Sequence, residues 1–128
     1  MSVSPKRVLL IDDDELLRDM YARKFREKGL EVEPLDSAQE GLERLRAGEK
    51  PDFIVFDIVM PGLDGFGFLE AMQKEGLAPA SIKVALTNQS ADEDRERALT
   101  LGAAVYLIKA SMTPTSIVEA ALEAAASN

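Results

Sequence analysis

Apolar residues along this chain fall into five short runs separated by longer amphipathic stretches. Val8-Leu9-Leu10-Ile11 and Phe53-Ile54-Val55-Phe56 are apolar at every position, the pattern of strands covered by helices on both faces. Ile82-Lys83-Val84-Ala85-Leu86 and Val105-Tyr106-Leu107-Ile108 read as two further strands. Glu31-Val32-Glu33-Pro34-Leu35 alternates and contains a proline, which cannot donate to a central ladder, so this strand belongs at an edge. Between the runs, helices are predicted over 15–28, 37–47, 65–75, 91–101 and 114–126. The first carries Leu17, Met20, Tyr21 and Phe25 on one face, and the last carries Ile117, Val118, Ala121, Leu122 and Ala125. Gly29, Gly48, Gly76 and Gly102 follow the first four helices, where a left-handed residue closes the last turn. Ser37…Glu40 and Ser90…Glu93 read as capping boxes, Asp64 caps the third helix, and Thr113-Pro114 opens the fifth. Strands alternating with helices predict one α/β domain over 1–128, a doubly wound (βα)5 parallel sheet. The edge position of strand two fits the order 2-1-3-4-5 of flavodoxin-like sheets. Right-handed crossovers then place helices one and five on one face and the middle three on the other.

Composition narrows the class. The chain of 128 residues is 46% apolar and 30% charged, which is globular rather than disordered. No stretch approaches the roughly 18 apolar residues of a membrane span, and no segment reads as a signal peptide. The expected location is the cytoplasm, away from any membrane. Cysteine and histidine are both absent, so disulfides, thiol chemistry, His-based zinc sites and a histidine general base are excluded. A net charge of −8 argues against nucleic-acid binding, which needs clustered Lys and Arg.

The candidate chemistry lies just past the apolar runs. Asp12 and Asp13 follow the first strand, Asp57 the third, Thr87 the fourth and Lys109 the fifth. Parallel strands align these positions along the carboxyl edge, where open α/β sheets bind ligands. Each residue has a plain reading by itself. Asp12-Asp13-Asp14 is a solvated loop capping the next helix, yet a cap needs one carboxylate and not three. Asp57 is a polar strand end, but Met60-Pro61-Gly62-Leu63-Asp64-Gly65 after it makes a tight, shaped loop. Thr87 is a cap for the fourth helix, a role that Ser90 and Glu93 already fill. Lys109 is a snorkelling lysine until three acids share its edge, and then it is their counter-charge. Two carboxylates about 7 Å apart repel by roughly 2.4 kcal/mol at an effective dielectric near 20. One ammonium does not balance Asp12, Asp13 and Asp57, whereas a divalent oxygen-seeking cation such as Mg²⁺ does.

These residues resemble the response-regulator receiver domains of two-component signalling along the full length of the chain. The match rests on Asp12-Asp13, on Asp57 with the segment 60–65, on Thr87, and on Gly102-Ala103-Ala104-Val105-Tyr106-Leu107-Ile108-Lys109. The resemblance implies that Asp57 is the phosphoacceptor, attacking a phosphohistidine on a sensor kinase or a phosphotransfer protein. It implies that Asp12, Asp13, Asp57 and the Val59 carbonyl hold Mg²⁺, and that Thr87 and Lys109 bind phosphoryl oxygens. Tyr106 corresponds to the aromatic that moves inward on activation. The chain would then catalyse only its own phosphorylation and dephosphorylation, and act on a downstream protein through the face of helix four, strand five and helix five. Two positions depart from the family. Ala110 replaces the usual proline after Lys109, which predicts a trans Lys109–Ala110 bond, because a cis bond without proline costs about 2.5–4 kcal/mol. Val59, two after Asp57, offers no polar group to guide water, leaving Gln89 as the nearest amide and predicting slow to intermediate loss of the phosphoryl group. The rival reading is an Mg²⁺-dependent phosphohydrolase with an aspartate nucleophile, such as the haloacid-dehalogenase type. Such an enzyme needs a second aspartate where Val59 stands. A flavodoxin-like cofactor binder is disfavoured, since three aspartates after the first strand repel a phosphate.

Overall fold

The two fully apolar runs form the centre of a parallel five-stranded sheet. The computed structural model describes residues 6–88 and 91–126. Its strands are β1 (Arg7–Ile11), β2 (Glu31–Leu35), β3 (Phe53–Asp57), β4 (Ile82–Thr87) and β5 (Val105–Ile108), in the order β2-β1-β3-β4-β5. All strand pairs are parallel, with Ile11 opposite Phe56, Asp57 opposite Leu86 and Thr87 opposite Ile108. Pro34 pairs with Leu10 from the edge strand, where its missing N–H faces no neighbouring strand.

Among the described residues five α-helices follow the strands: α1 (Glu15–Glu27), α2 (Ala38–Arg46), α3 (Gly65–Glu75), α4 (Asp92–Thr100) and α5 (Pro114–Ala126). Two apolar layers flank the sheet, as right-handed crossovers require. One joins Leu42, Phe68, Leu69, Met72 and Ala98 of α2, α3 and α4 to Leu9, Ile11, Ile54 and Phe56. The other joins Tyr21, Phe25, Ile117, Val118 and Ala121 of α1 and α5 to Val8, Leu10, Val55 and Leu86. Gly29, Gly48, Gly76 and Gly102 all take positive φ after the first four helices, where a Cβ would be strained.

The caps hold the loops that carry the polar residues. The Asp14 carboxylate accepts the Leu17 N–H at 3.1 Å, and Asp64 accepts the Gly67 N–H at 2.8 Å. Ser37 accepts the Glu40 N–H at 3.2 Å, the serine half of the expected box. Before α5 the box closes with Ser116, which exchanges bonds with Thr113 in both directions. The box expected at Ser90…Glu93 differs. Ser90 lies outside the described residues, and α4 starts at Asp92 with Ala91 in the cap position. Met20 is a second correction. Its side chain is 39% exposed, because α1 centres its buried stripe on Tyr21, Ala22 and Phe25, and Met20 stands on the flank of that stripe. After β5, Lys109–Ser111 forms one 3₁₀ turn. The Lys109–Ala110 bond is trans, as Ala110 predicts, and no cis bond occurs among the described residues.

Candidate functional site

Four strand ends deliver their polar residues to one edge of the sheet. Asp12 directly follows β1, Asp57 ends β3, Thr87 ends β4, and Lys109 follows β5. Asp12, Asp57 and Lys109 are all buried, whereas Asp13 is exposed. The Lys109 ammonium donates to Asp57 Oδ2 at 2.8 Å and to Asp12 Oδ2 at 3.3 Å. The other oxygens are held by the backbone: Asp14 N–H donates to Asp12 Oδ1 at 2.9 Å, and Val59 N–H donates to Asp57 Oδ1 at 3.2 Å. Loop geometry, and not side-chain chance, therefore aims both carboxylates.

Burial pushes the Asp12 carboxyl above the usual carboxylate range, against the opposing pull of the Asp14 amide and the Lys109 charge. For Lys109 burial favours the neutral amine, but the bond to Asp57 and the charges of Asp12 and Asp57 outweigh it and hold the ammonium above its ordinary value. Asp12, Asp13 and Asp57 each place a carboxylate oxygen within 4.8 Å of the other two. At that spacing the buried pair Asp12–Asp57 repels by roughly 3.5 kcal/mol at an effective dielectric near 20, while solvent screens the pairs that include the exposed Asp13. One ammonium against three carboxylates leaves a negative excess in a site made only of oxygen donors. This donor set suits a hard divalent cation. Octahedral Mg²⁺ holds its oxygen ligands at about 2.0–2.1 Å and is bound by a few carboxylates with waters, a donor type these three acids supply.

Asp13→Asn removes the exposed member of the three. It is expected to raise the thermal midpoint without metal, modestly because solvent screens Asp13, and to reduce the further rise on adding Mg²⁺. Wild type should gain stability from Mg²⁺, since the folded acidic site binds the ion and the unfolded chain does not. A wild-type melting curve indifferent to Mg²⁺ would contradict this.

Thr87 and Tyr106 are placed together, and not in the mouth of the site. Both are buried, and the Tyr106 phenol and the Thr87 hydroxyl share a hydrogen bond. Burial pushes the phenol pKa up and Asp94 on α4 adds to the rise, while the Thr87 bond opposes it. Tyr106 is thus packed beside Thr87 with little exposure. The mouth itself is lined by Asp13, Asp14, Asp57, Val59, Asn88 and Lys109. Asn88 is the amide found there; Gln89, suggested from sequence, lies outside the described residues. Arg18 is a second residue that the pattern did not reveal. Its guanidinium donates to the Asp12 carbonyl at 2.8 Å and pins the acidic turn from α1. Neither residue has a spacing signal, since each depends on where a side chain turns.

Comparisons with known proteins agree with this geometry. The family model described as the response regulator receiver domain matches residues 8–122. The chain is 36% identical over 110 residues to the transcriptional activator protein PfeR of Pseudomonas aeruginosa, covering 85% of this chain and 34% of that protein. It is 36% identical over 107 residues to the transcriptional regulatory protein PdtaR of Mycobacterium tuberculosis, covering 82% of this chain and 50% of that protein. The chain thus spans between a third and a half of the length of these curated relatives. Among solved structures, a CheY-like receiver domain protein of Methanospirillum hungatei superposes with a TM-score of 0.82 at 29% identity, covering 98% of this chain and 100% of that one. The chemotaxis response regulator CheY4 of Vibrio cholerae shares the fold with a TM-score of 0.85 at 24% identity, covering 94% of this chain and 99% of that one. The family match over residues 8–122, the doubly wound order and the acid–lysine cluster converge: this chain belongs to the receiver domains of two-component response regulators.

Proposed function

We propose that this domain accepts a phosphoryl group on Asp57 from the phosphohistidine of a sensor kinase or phosphotransfer protein, in an Mg²⁺-dependent reaction, and signals to a protein partner. The observation that carries this reading is the setting of Asp57. Its carboxylate lies between the Lys109 ammonium at 2.8 Å and the oxygens of Asp12 and Asp13 within 4.8 Å. In the transfer, an Asp57 oxygen forms a bond to phosphorus as the phosphorus–nitrogen bond of the donor breaks. The imidazole leaves with that electron pair. Lys109 stands within reach of the arriving phosphoryl oxygens, and Asp12, Asp13, Asp57 and the Val59 carbonyl would hold Mg²⁺. Bound there, the ion supplies positive charge against the phosphoryl oxygens, the main source of acceleration in phosphoryl transfer.

The output follows from the Thr87–Tyr106 bond. A phosphoryl group that recruits the Thr87 hydroxyl competes with Tyr106 for it, and so reaches β5 and the neighbouring α4. That helix is lightly held. Ala98 is its buried residue, and Arg97 ties it to α3 by stacking 4.2 Å over the Phe66 ring and pairing with Glu70 at 3.2 Å. Elements with few buried contacts open most readily, which suits the face of α4, β5 and α5 to a switch that a downstream protein reads.

The test uses phosphoramidate with and without Mg²⁺, followed by intact-protein mass spectrometry and phosphate release. The expected result is one phosphoryl group per chain, formed only with Mg²⁺. Rapid release of phosphate over many turnovers would favour the phosphohydrolase instead. That rival is weakened by Val59, an aliphatic side chain 55% exposed where a general acid is needed. Val59→Asn is expected to speed decay of the phosphoryl group severalfold, by giving the attacking water a polar partner. Faster decay in wild type than in the variant would refute that account.

A further inference from the structure

Gly65, the first residue of α3, is buried against the backbone of the segment that carries Asp57. A Cβ on Gly65 would lie 2.6 Å from Ile58 Cα and 2.8 Å from the Asp57 carbonyl oxygen. Both are main-chain atoms, and a methyl group cannot be accommodated there by turning a side chain. Three bonds hold the same segment. Ile58 N–H donates to the Leu86 carbonyl at 2.8 Å and continues the β3–β4 ladder, while Gly65 N–H donates to the Ile58 carbonyl at 2.8 Å. Val59 N–H donates to Asp57 Oδ1 at 3.2 Å. A side chain at 65 must either press Ile58 off β4 or lift α3 from Ile58, and each outcome moves Val59. We infer that Gly65 is a positioning residue for the acidic site, keeping the Val59 amide on Asp57, and with it the residue at the mouth of the site, by having no side chain. This inference rests on the phosphoacceptor reading of Asp57. It concerns space and not backbone freedom, so Ala is the informative replacement.

Gly67 supplies the control on the same helix. There a Cβ would meet Leu63 Cδ1 at 2.7 Å, the far end of a flexible side chain that can turn away. Gly65→Ala and Gly67→Ala therefore make the same change in helix propensity, and one of them presses on the site. Mg²⁺ affinity is read from tyrosine fluorescence, with Tyr21 and Tyr106 as the two tyrosines and no tryptophan to mask them. The Val59 amide is followed by ¹⁵N-resolved NMR, and labelling by phosphoramidate at saturating Mg²⁺. For Gly65→Ala the half-saturating Mg²⁺ concentration should rise severalfold and the Val59 amide should shift. Labelling should slow by at least about tenfold, since a misplacement of ~1 Å costs on the order of 100-fold. Gly67→Ala should match wild type in all three. Trimethylamine N-oxide, which strengthens burial, separates misfolding from misplacement: a displaced loop stays impaired in it. Wild-type Mg²⁺ affinity and labelling in Gly65→Ala, their restoration by the osmolyte, or equal impairment of Gly67→Ala would each overturn the inference. If wild type binds Mg²⁺ but takes no phosphoryl group, the proposed function falls. The Mg²⁺ titrations and the Val59 shift then decide the role of Gly65 by themselves.

Discussion

Replacing Lys109 with methionine is expected to cost about 3–5 kcal/mol of folding stability near neutral pH, the range for stranding a buried charge by removing its partner. Methionine keeps the length and apolar stem of the side chain and deletes the ammonium. The Lys109 side chain is 4% exposed, and it bonds both Asp57 and Asp12, so the variant leaves two carboxylates crowded without a cation. The loss should depend on pH, and the sign follows from Asp12. Its carboxyl is raised in the folded protein, so the folded state binds that proton more readily than the unfolded chain. Stability from this group is therefore greatest at pH below the ordinary value of 3.8 and is lost as pH rises through the raised one. Without Lys109, which opposes the rise, the Asp12 carboxyl moves up further. The deficit of the variant should shrink as pH falls toward the carboxylate range, and Mg²⁺ should narrow it at neutral pH by occupying the same oxygens. Urea unfolding of both proteins at about pH 7 and about pH 5, with and without Mg²⁺, measures it. A loss below about 1 kcal/mol, the worth of an exposed ion pair, or one independent of pH would show that the ammonium is not balancing buried charge.

Much of this fold is legible because strands and helices use different periods. The unbroken runs at 8–11 and 53–56 read as central strands and Pro34 as an edge residue, which fits the observed order and narrows it without fixing the places of the fourth and fifth strands. The site followed from that order, since Asp12, Asp57 and Lys109 needed only parallel strands ending at a common edge to meet. Ala110 likewise implied the trans bond by itself. What stayed hidden depends on side-chain direction. Met20 fits the helical spacing but falls on the flank of the stripe, where a few tens of degrees decide exposure. The Arg18 bond to the Asp12 carbonyl and the Thr87–Tyr106 pair need rotamers and the β4–β5 register, none of which a spacing rule encodes. Asn88 lines the mouth because β4 ends one residue earlier.

Asp57 as the phosphoacceptor is the claim on which the rest depends. Asp13 is exposed at the mouth of the site, and Asp12 is buried with one oxygen bonded to the Asp14 amide and the other to Lys109. Asp57 lines the mouth, sits against Lys109 and has each oxygen held by one donor, so of the three acids it is the one both fixed in direction and reachable from the mouth. Asp57→Asn keeps the shape and removes the nucleophilic charge, so labelling should fall to background while the fold persists. Aspartyl phosphate is an acyl phosphate, which borohydride reduces to homoserine, marking the residue permanently. The most direct measurement is therefore peptide mass spectrometry after phosphoramidate labelling with Mg²⁺ and borohydride reduction. This account predicts homoserine at position 57 in wild type and at no other aspartate, with none formed in Asp57→Asn. Homoserine at 12 or 13, or equal labelling of wild type and Asp57→Asn, would contradict it.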